Sequence, residues 1–461
     1  MALATAKDLA QWMGGELCGR EDREIVRVHT DSRTALPGDA FVALKGRRWD
    51  GHQFILQAIQ KGASVVVVET GWQIDSENVS VIRVSDTLQA LQAAACAYRA
   101  GHRARWIAVT GSSGKTTTKE LIRSVLGARF RVAATQGNQN NHIGVPLTVL
   151  QVAPDEEFAV VELGTNHPGE IAFLAELVRP QFGVITGIGP AHIEFFGSLE
   201  AIAREKTDLW ASLPSDGWAV ANGQDVWLRR FAWRSKARMM WVGGGEDAVW
   251  VLEGWEPGKE GSRYWLSWHG VGKVEVFLPF WGGALGVNVL LAAALGGIAG
   301  LSLSEIAQGL ERFRPSAGRM ELKPSAGGWV LDDSYNANPQ SVEAALEALA
   351  RLQLGGRRGA VLGTMGELGE WAAGFHRELG KQVGRLGLDW VVFVGEHGET
   401  LAQGAREVHF PEDRLFVVPG AQEALEQVRE LFRPGDLLLV KGSRAVGLER
   451  VVEGLDGSAA G

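Results

Sequence analysis

The sequence contains little cysteine and no excess of positive charge. Its 461 residues include 2 cysteines, Cys18 and Cys96, which cannot form a disulfide framework or a four-cysteine zinc site. So low a number is typical of proteins from a reducing compartment. Lys and Arg total 46 against 54 Asp and Glu, and the net charge of −8 excludes a generally basic nucleic-acid-binding surface. A hydrophobic fraction of 46% excludes wholesale disorder.

Long uninterrupted hydrophobic segments are also absent. The first twenty residues show an amphipathic pattern and lack the continuous apolar stretch of a signal peptide. Residues 276–304 carry no charge and are long enough to cross a bilayer, but Pro279, Gly282 and Gly283 interrupt them. We therefore predict a short strand, a glycine-rich loop and a buried helix over about residues 287–299, with no membrane span.

The alternation of strand and helix patterns predicts three α/β domains, which agrees with about 150 residues per domain. The predicted domains are residues 1–100, 101–314 and 315–461. Buried strand patterns occupy residues 40–44, 64–68, 106–110, 158–161, 182–186, 329–332, 359–362, 390–394, 415–418 and 436–440. Their order predicts a parallel sheet in the central domain and a Rossmann-like, doubly wound sheet in the C-terminal domain.

Residues 210–281 depart from this alternation. They hold 10 of the 17 tryptophans and read as short alternating strands added to the central domain. We predict that the tryptophans lie in the core and at the edge of a β-sheet. A stacking site for sugars or bases is the alternative, and nothing in the sequence supports it.

A glycine-rich turn between the strand at 106–110 and the next helix has the composition of a phosphate-binding loop. Its members are Gly111, Ser112, Ser113, Gly114, Lys115, Thr116 and Thr117. Backbone N–H groups of such a loop converge on phosphates at a helix N-terminus. Lys115 is placed to reach the β and γ oxygens, and Thr116 to place its hydroxyl on Mg²⁺. Val109 replaces the first glycine of the full pattern, so a glycine-rich turn with a solvated lysine is the alternative.

Three further residues are candidates for a metal site. Glu162 ends a buried strand, and ligands of α/β sheets bind at the carboxyl ends of strands. His192 lies in the loop after the next strand, where a histidine is usually solvated. Lys206 falls in a predicted helix over residues 199–210, where a lysine is ordinarily solvated too. Taken singly, only Glu162 is favoured as a Mg²⁺ ligand.

The order of these sites resembles that of the Mur ligases, the ATP-dependent amide-forming enzymes of peptidoglycan precursor synthesis. The resemblance covers nearly the whole chain and rests on residues 31–33, 37–44, 111–116, 137–146, 162–164, 191–192, 206, 286–288, 318–319, 332–339, 365–369 and 441–444. The asparagine-rich loop near 140 and the Tyr-Asn-Ala-Asn and Glu-Leu-Gly runs are most similar to members that add D-alanyl-D-alanine to UDP-N-acetylmuramoyl-tripeptide. The resemblance implies an N-terminal UDP-substrate domain, a central P-loop ATPase-like domain and a monomeric cytoplasmic enzyme, without nucleic-acid partners or membrane insertion.

The resemblance also implies a role for each site residue. In the family, the lysine matching Lys206 is carbamylated by CO2, which turns a cation into a carboxylate-like anion. Thr116 and Glu162 would hold one Mg²⁺ at the ATP phosphates, and Glu162, His192 and the carbamate a second. The resemblance further implies that three residues contact ATP: Asn288 the adenine, Asp333 the ribose and Arg319 the γ-phosphate. It implies that Ser32 and Arg33 bind the UDP end of the other substrate, and that Asn138 and Asn141 face its UDP-sugar. Lys115, His192, Lys206 and Arg319 are thus the expected catalytic residues.

The acceptor side is less defined by the sequence. Lys441, Ser443 and Arg444 follow the last buried strand, where contact with the acceptor or the tripeptide is expected; an ordinary turn with two solvated cations is the alternative. The incoming amine needs a base, which the sequence does not identify. His376 is one candidate, but a packing or surface role is more typical of such a histidine.

The resemblance implies ligation through an acylphosphate, formed when the tripeptide carboxylate attacks the γ-phosphate of ATP and consumed by the amine of D-alanyl-D-alanine. A sister ligase that adds one amino acid is the nearest alternative, but the Asp-Asn-Pro motif usual in the enzyme adding the third residue is absent from the sequence. A nucleotide-dependent switch is the other alternative, and it has no need of residues 31–33 or of Lys206.

Overall fold

The computed structural model describes residues 2–46, 48–74, 78–258, 260–325 and 327–456. Over these ranges it contains a two-stranded sheet and three larger sheets of five, nine and six strands. The larger sheets follow one another along the chain, and helices connect their parallel strands. The predicted α/β fold is therefore confirmed, whereas the domain limits at 100/101 and 314/315 stay predictions.

The N-terminal part is built around the five-stranded sheet, whose order is β2-β7-β6-β5-β4. Its elements are β1 Ala4–Thr5, α1 Ala6–Met13, β2 Glu16–Cys18, β3 Glu24–Ile25, β4 Arg27–His29, β5 Asp39–Val42, α2 Ile55–Gln60, β6 Val65–Glu69, β7 Ser80–Val84 and α3 Thr87–Gly101. Only β2 runs antiparallel to its neighbour. Asp86 accepts a hydrogen bond from the Gln89 N–H at 2.9 Å and so caps α3.

The central part holds the nine-stranded sheet, in the order β16-β15-β14-β13-β12-β11-β8-β10-β9. Its strands are β8 Arg105–Thr110, β9 Val132–Ala134, β10 Phe158–Glu162, β11 Phe182–Ile185, β12 Trp218–Asn222, β13 Arg238–Val242, β14 Ala248–Pro257, β15 Ser262–Trp268 and β16 Gly272–Leu278. Its helices are α4 Lys115–Leu126, α5 Gly144–Leu150, α6 Glu170–Val178, α7 Ile193–Phe196, α8 Leu199–Ala211, α9 Val226–Phe231, α10 Gly286–Ile298 and α11 Leu303–Glu311.

The change from α/β alternation to added short strands was predicted at residue 210, but it occurs later, at β14. Strands β12 and β13 still pair in parallel, and only β14, β15 and β16 form an antiparallel meander. Helix α9, between β12 and β13, has six residues, too few to show a helical period. The tryptophans are also more widely spread than predicted, since Trp210 and Trp227 lie in helices and Trp233 is exposed.

The apolar segment before residue 304 forms β16, a loop and the buried helix α10, as predicted. Within the described ranges, no helix combines the length and the apolar character that crossing a membrane requires.

The C-terminal part holds the six-stranded sheet, in the order β17-β18-β22-β19-β20-β21. Its elements are β17 Glu321–Ser325, β18 Gly328–Asp332, α12 Pro339–Arg351, β19 Arg358–Gly363, α13 Ala372–Arg385, β20 Trp390–Val394, α14 Gly398–Glu407, β21 Leu415–Val418, α15 Ala421–Leu431, β22 Leu437–Lys441 and α16 Glu449–Asp456. The five predicted strands are present. The antiparallel edge strand β17 was not predicted, because its charges and Pro324 do not resemble a buried strand.

Helices α13 and α14 touch at two glycines. A Cβ on Gly380 would lie 2.0 Å from the Leu401 carbonyl oxygen, and one on Gly404 would lie 2.0 Å from the Arg377 carbonyl oxygen. Both neighbours are backbone atoms, so neither helix can yield without moving as a whole. The two helices therefore approach each other at a distance that only glycine permits.

We expect Gly404→Ala to lower the free energy of unfolding of the C-terminal domain by about 1–3 kcal/mol, because the added methyl group separates two packed helices. Gly374→Ala on α13 is the matched control, since a Cβ there meets no atom within 4 Å. That change should stabilise the exposed helix by about 0.5–1 kcal/mol. Urea unfolding followed by circular dichroism measures both, and a Gly404→Ala variant as stable as the parent would contradict the close packing.

Candidate active site

A cavity of about 470 Å³ lies between the central and C-terminal sheets. On the central side it is lined by the phosphate loop, the asparagine-rich loop, Glu162 and His192. On the other side it is lined by Arg319, Asp333, Tyr335 and Lys441. Strands β8, β10 and β22 all point their carboxyl ends toward it, which is where α/β sheets bind ligands.

The phosphate loop occupies the turn between β8 and α4. Gly111 has φ 147° and Gly114 has φ 78°, values that favour glycine. The loop is tied to a neighbouring segment, because the Ser112 hydroxyl donates to the Gly189 carbonyl oxygen at 2.9 Å. Lys115 Nζ donates to the Gly111 carbonyl oxygen at 2.8 Å. Burial lowers the pKa of Lys115, and nearby Glu162 opposes that shift.

Glu162 is a buried carboxylate at the end of β10 that accepts hydrogen bonds from neutral donors. Its Oε2 accepts from the Thr116 hydroxyl at 2.8 Å, and its Oε1 accepts from Asn140 Nδ2 at 2.8 Å. The edge of an octahedron around Mg²⁺, with ligands at about 2.1 Å, measures about 3 Å. The Thr116 and Glu162 oxygens therefore fit neighbouring corners of such an octahedron.

Lys206 lies in α8 with 1% of its surface exposed. Among the described residues, nothing forms a hydrogen bond or ion pair with its amine. Burial, reinforced by the charge of Lys115, places the pKa of Lys206 well below its ordinary value. Within the same ranges, no three His, Cys, Asp or Glu side chains come together as a metal site. A carbamate on Lys206 would supply a further acidic group, and this stays a prediction.

His192 joins the two sides of the cavity. It precedes α7 with φ 59°, and its Nδ1–H donates to Glu367 Oε2 of the C-terminal part at 2.5 Å. In this tautomer Nε2 keeps its lone pair. The hydrogen bond from His192 lowers the pKa of Glu367.

The C-terminal wall is built from a second set of charges. Asp333 accepts from Lys441 Nζ at 2.5 Å, and Lys441 also donates to the Asn336 carbonyl oxygen at 3.0 Å. Burial raises the pKa of Asp333, and Lys441 opposes that shift. The Arg319 guanidinium lies 4.1 Å from the Tyr335 ring centroid, and this stacking holds its charge beside the cavity.

Several predicted residues lie outside the cavity lining. Asn288 lies behind the phosphate loop, where a Cβ on Gly114 would be 2.9 Å from its Oδ1. In the N-terminal part, the Ser32 hydroxyl donates to Gln57 Oε1 at 2.6 Å, and Arg33 forms an exposed ion pair with Asp31. Ser443 is buried beyond β22, and Arg444 approaches the Tyr335 ring at 5.4 Å. Their roles stay predictions.

Three Mur ligase domain models match this chain. The Mur ligase family catalytic domain matches residues 24–99, the Mur ligase middle domain 109–296 and the Mur ligase glutamate ligase domain 318–444. A UDP-N-acetylmuramoyl-tripeptide–D-alanyl-D-alanine ligase of Bacillus subtilis is 36% identical over 458 residues, which cover 99% of both chains. The chain belongs to the Mur ligase family.

Solved structures of Mur ligases share the whole fold. A crystal structure of MurF from Acinetobacter baumannii matches with a TM-score of 0.88 and 33% identity, covering 98% of this chain and 99% of that one. The MurF ligase of Thermotoga maritima, solved in complex with ADP, matches with a TM-score of 0.80 and 30% identity, covering 94% and 97%.

Two residues at this Mur ligase site were not predicted individually. In the asparagine-rich loop, Asn140 binds Glu162, whereas Asn141 Oδ1 accepts from the Gly144 N–H at 2.9 Å and Asn138 contributes to the cavity lining. A run of like residues gives no signal for which member faces the carboxylate. Glu367 lies in a run that the family resemblance marked, but its partner His192 is 175 residues away in sequence.

Proposed function

We propose that this Mur ligase uses ATP to join D-alanyl-D-alanine to UDP-N-acetylmuramoyl-tripeptide. The observation that carries the proposal is the full-length identity to ligases of that name. The cavity supports it independently, because a phosphate loop faces a second domain that carries Arg319, Asp333 and Lys441. The ADP bound to the Thermotoga maritima ligase supports ATP as the nucleotide.

The first chemical step is phosphoryl transfer, which depends on positioning and charge compensation. The tripeptide carboxylate attacks the γ-phosphorus, the bond to the β–γ bridging oxygen breaks, and ADP leaves. Lys115 and the loop N–H groups bind the phosphates from the central domain. Arg319 binds the γ-phosphate from the C-terminal domain, Asp333 binds the ribose, and Asn288, behind the phosphate loop, is assigned to the adenine.

Thr116 and Glu162 fit a Mg²⁺ ion, as their oxygens lie 2.8 Å apart. His192 and a carbamate on Lys206 would complete a second site with Glu162. When bound, Mg²⁺ neutralises charge on the phosphate oxygens and polarises the phosphoryl group. The neutral amine that burial favours at Lys206 is the form that attacks CO2, so the site suits carbamylation.

The second step forms the amide bond. The amine of D-alanyl-D-alanine attacks the acyl carbon of the acylphosphate, loses a proton, and the tetrahedral intermediate expels phosphate. Closure of the C-terminal domain over the substrates would exclude water from the acylphosphate. His376 does not act as the base, because its Nδ1–H donates to the Ala372 carbonyl oxygen and its Nε2 accepts from the Met365 N–H.

We assign the UDP end and the peptide end of the substrates to different parts of the chain. Ser32 and Arg33 bind the UDP end from the N-terminal domain, and Asn138 and Asn141 face the UDP-sugar. Lys441, Ser443 and Arg444 contact the tripeptide or the dipeptide from the end of β22. A cytoplasmic, monomeric enzyme remains the expectation.

The test is phosphate release from ATP and Mg²⁺ with UDP-N-acetylmuramoyl-tripeptide, measured with and without D-alanyl-D-alanine. We expect release that requires the dipeptide, and a product heavier by that dipeptide in the mass spectrum. Release with a single free amino acid in its place would assign the chain to a sister ligase. Hydrolysis with no dependence on an amine would contradict the ligase assignment.

A further inference from the structure

A loop of the C-terminal part contacts the central part at one short segment. The loop is residues 365–369, and the segment is the start of α7. His192 donates to Glu367 Oε2 at 2.5 Å, and the Glu194 N–H donates to the Glu367 carbonyl oxygen at 3.3 Å. A Cβ on Gly369 would lie 3.0 Å from Glu194. Glu367 therefore meets this segment through both its side chain and its backbone.

Both partners of the side-chain bond have left-handed backbones. His192 has φ 59° and Glu367 has φ 60°, and few non-glycine residues adopt such values. Conformations of this kind persist where the surrounding structure enforces them, and they cluster at functional sites. Here they turn the imidazole and the carboxylate toward each other.

The loop that carries Glu367 is anchored inside its own domain. Met365 and Leu368 are buried. The ring of His376, fully buried, accepts from the Met365 N–H at 2.9 Å and donates to the Ala372 carbonyl oxygen at 2.7 Å. Burial lowers the pKa of His376 to about 4, so at neutral pH the ring keeps the acceptor that the loop requires. The loop that carries Glu367 is thus held in place by buried residues and hydrogen bonds of its own domain.

We propose that Glu367 is a positioning residue that fixes the imidazole of His192 whenever the C-terminal domain packs on the central domain. The orientation of His192 is then set by a residue of the other domain, so the site is complete only when both domains are in contact. The inference rests on the proposed function, in which His192 faces the reacting groups.

The test compares two variants of the full-length chain. In Glu367→Ala the imidazole loses its acceptor, and we expect kcat of the dipeptide-dependent reaction to fall about 10- to 100-fold, as for other partners that orient a functional histidine. KM for ATP should stay unchanged, because within the described ranges Glu367 forms no hydrogen bond or ion pair with the phosphate loop. Glu367→Gln retains a neutral acceptor, and the loss should remain below about tenfold.

Hydrogen exchange gives a readout that needs no substrate. In Glu367→Ala, amides of residues 192–197 and 365–371 should exchange about fivefold faster, the effect of losing one net hydrogen bond. Amides of α4 should be unchanged. Glu430→Ala is the control, since Glu430 is exposed on α15 and its side chain forms no hydrogen bond or ion pair within the described ranges.

The outcomes separate this inference from the proposed function. Unchanged kcat and unchanged exchange in Glu367→Ala would overturn the positioning role. Equal inactivity of folded Glu367→Ala and Glu367→Gln would overturn it too, because the carboxylate would then act directly. A third outcome is possible: the parent shows no dipeptide-dependent phosphate release, but the amides of residues 192–197 and 365–371 still exchange faster in Glu367→Ala. That result would support the contact between Glu367 and His192 and contradict only the proposed function.

Discussion

Replacing Lys206 by methionine should lower the ligation rate by about 10²- to 10³-fold, the usual loss when one preorganised group at a charged transition state is removed. Lys206 is buried in α8 without a hydrogen-bond partner in the part of the chain that the structure describes, and burial favours its neutral amine. A neutral amine can attack CO2, lose a proton and become an anion. Methionine preserves the volume but cannot form that anion.

A control variant and a chemical rescue test whether the loss of activity is due to the missing carbamate anion. Lys236→Met changes an exposed lysine on the same domain and should leave the rate unchanged. In Lys206→Ala, which vacates space, added acetate or formate should restore part of the activity, whereas Lys206→Met leaves no space for it. ¹³C-labelled CO2 should give a carbamate signal in the parent and none in either variant. A fully active Lys206→Met would remove this residue from the mechanism.

The parts of the site that the sequence predicts best are local. The phosphate loop is contiguous, and its glycines adopt the positive φ angles that the motif requires. Glu162 was identified because a charged residue at the end of a buried strand is rare without a ligand, and the structure places it against Thr116. Both signals lie within a few residues of chain, so no tertiary information is needed.

The features that local sequence patterns do not predict depend on contacts between distant segments, and for Lys206 only the family resemblance indicated a role in the site. Lys206 lies in a helix with Arg204 and Glu205 beside it, which reads as a solvated face, yet the side chain is 1% exposed. The bond between His192 and Glu367 joins two domains, and no local pattern encodes it. The parallel extension by β12 and β13 was missed because the connecting helix α9 is too short to show a period.

Replacing Arg319 by alanine should reduce kcat by about 10³-fold, the lower end of the range for an arginine that stabilises a transferring phosphoryl group. Arg319 enters the cavity from the C-terminal side, stacked 4.1 Å from the Tyr335 ring centroid. Its charge contributes to the lowered pKa of Lys115 on the opposite wall, so the two cations share one electrostatic environment. Charge that develops on the γ-phosphate would then be stabilised from both domains at once.

Because the phosphate loop and Lys115 remain in Arg319→Ala, KM for ATP should change only severalfold, which separates a transition-state role from nucleotide binding. Arg319→Lys should recover part of kcat, since an ammonium supplies charge but not the planar, bidentate donor pair. Arg312→Ala, at an exposed position just after α11, is the matched control and should be fully active.

Equal losses in kcat and in ATP affinity would make Arg319 a binding residue, and an unchanged kcat would exclude it from phosphoryl transfer. A loss that falls mainly on kcat would mean that Arg319 acts at the transition state from the C-terminal domain, whereas a residue of the ATP-binding wall would weaken ATP binding as well.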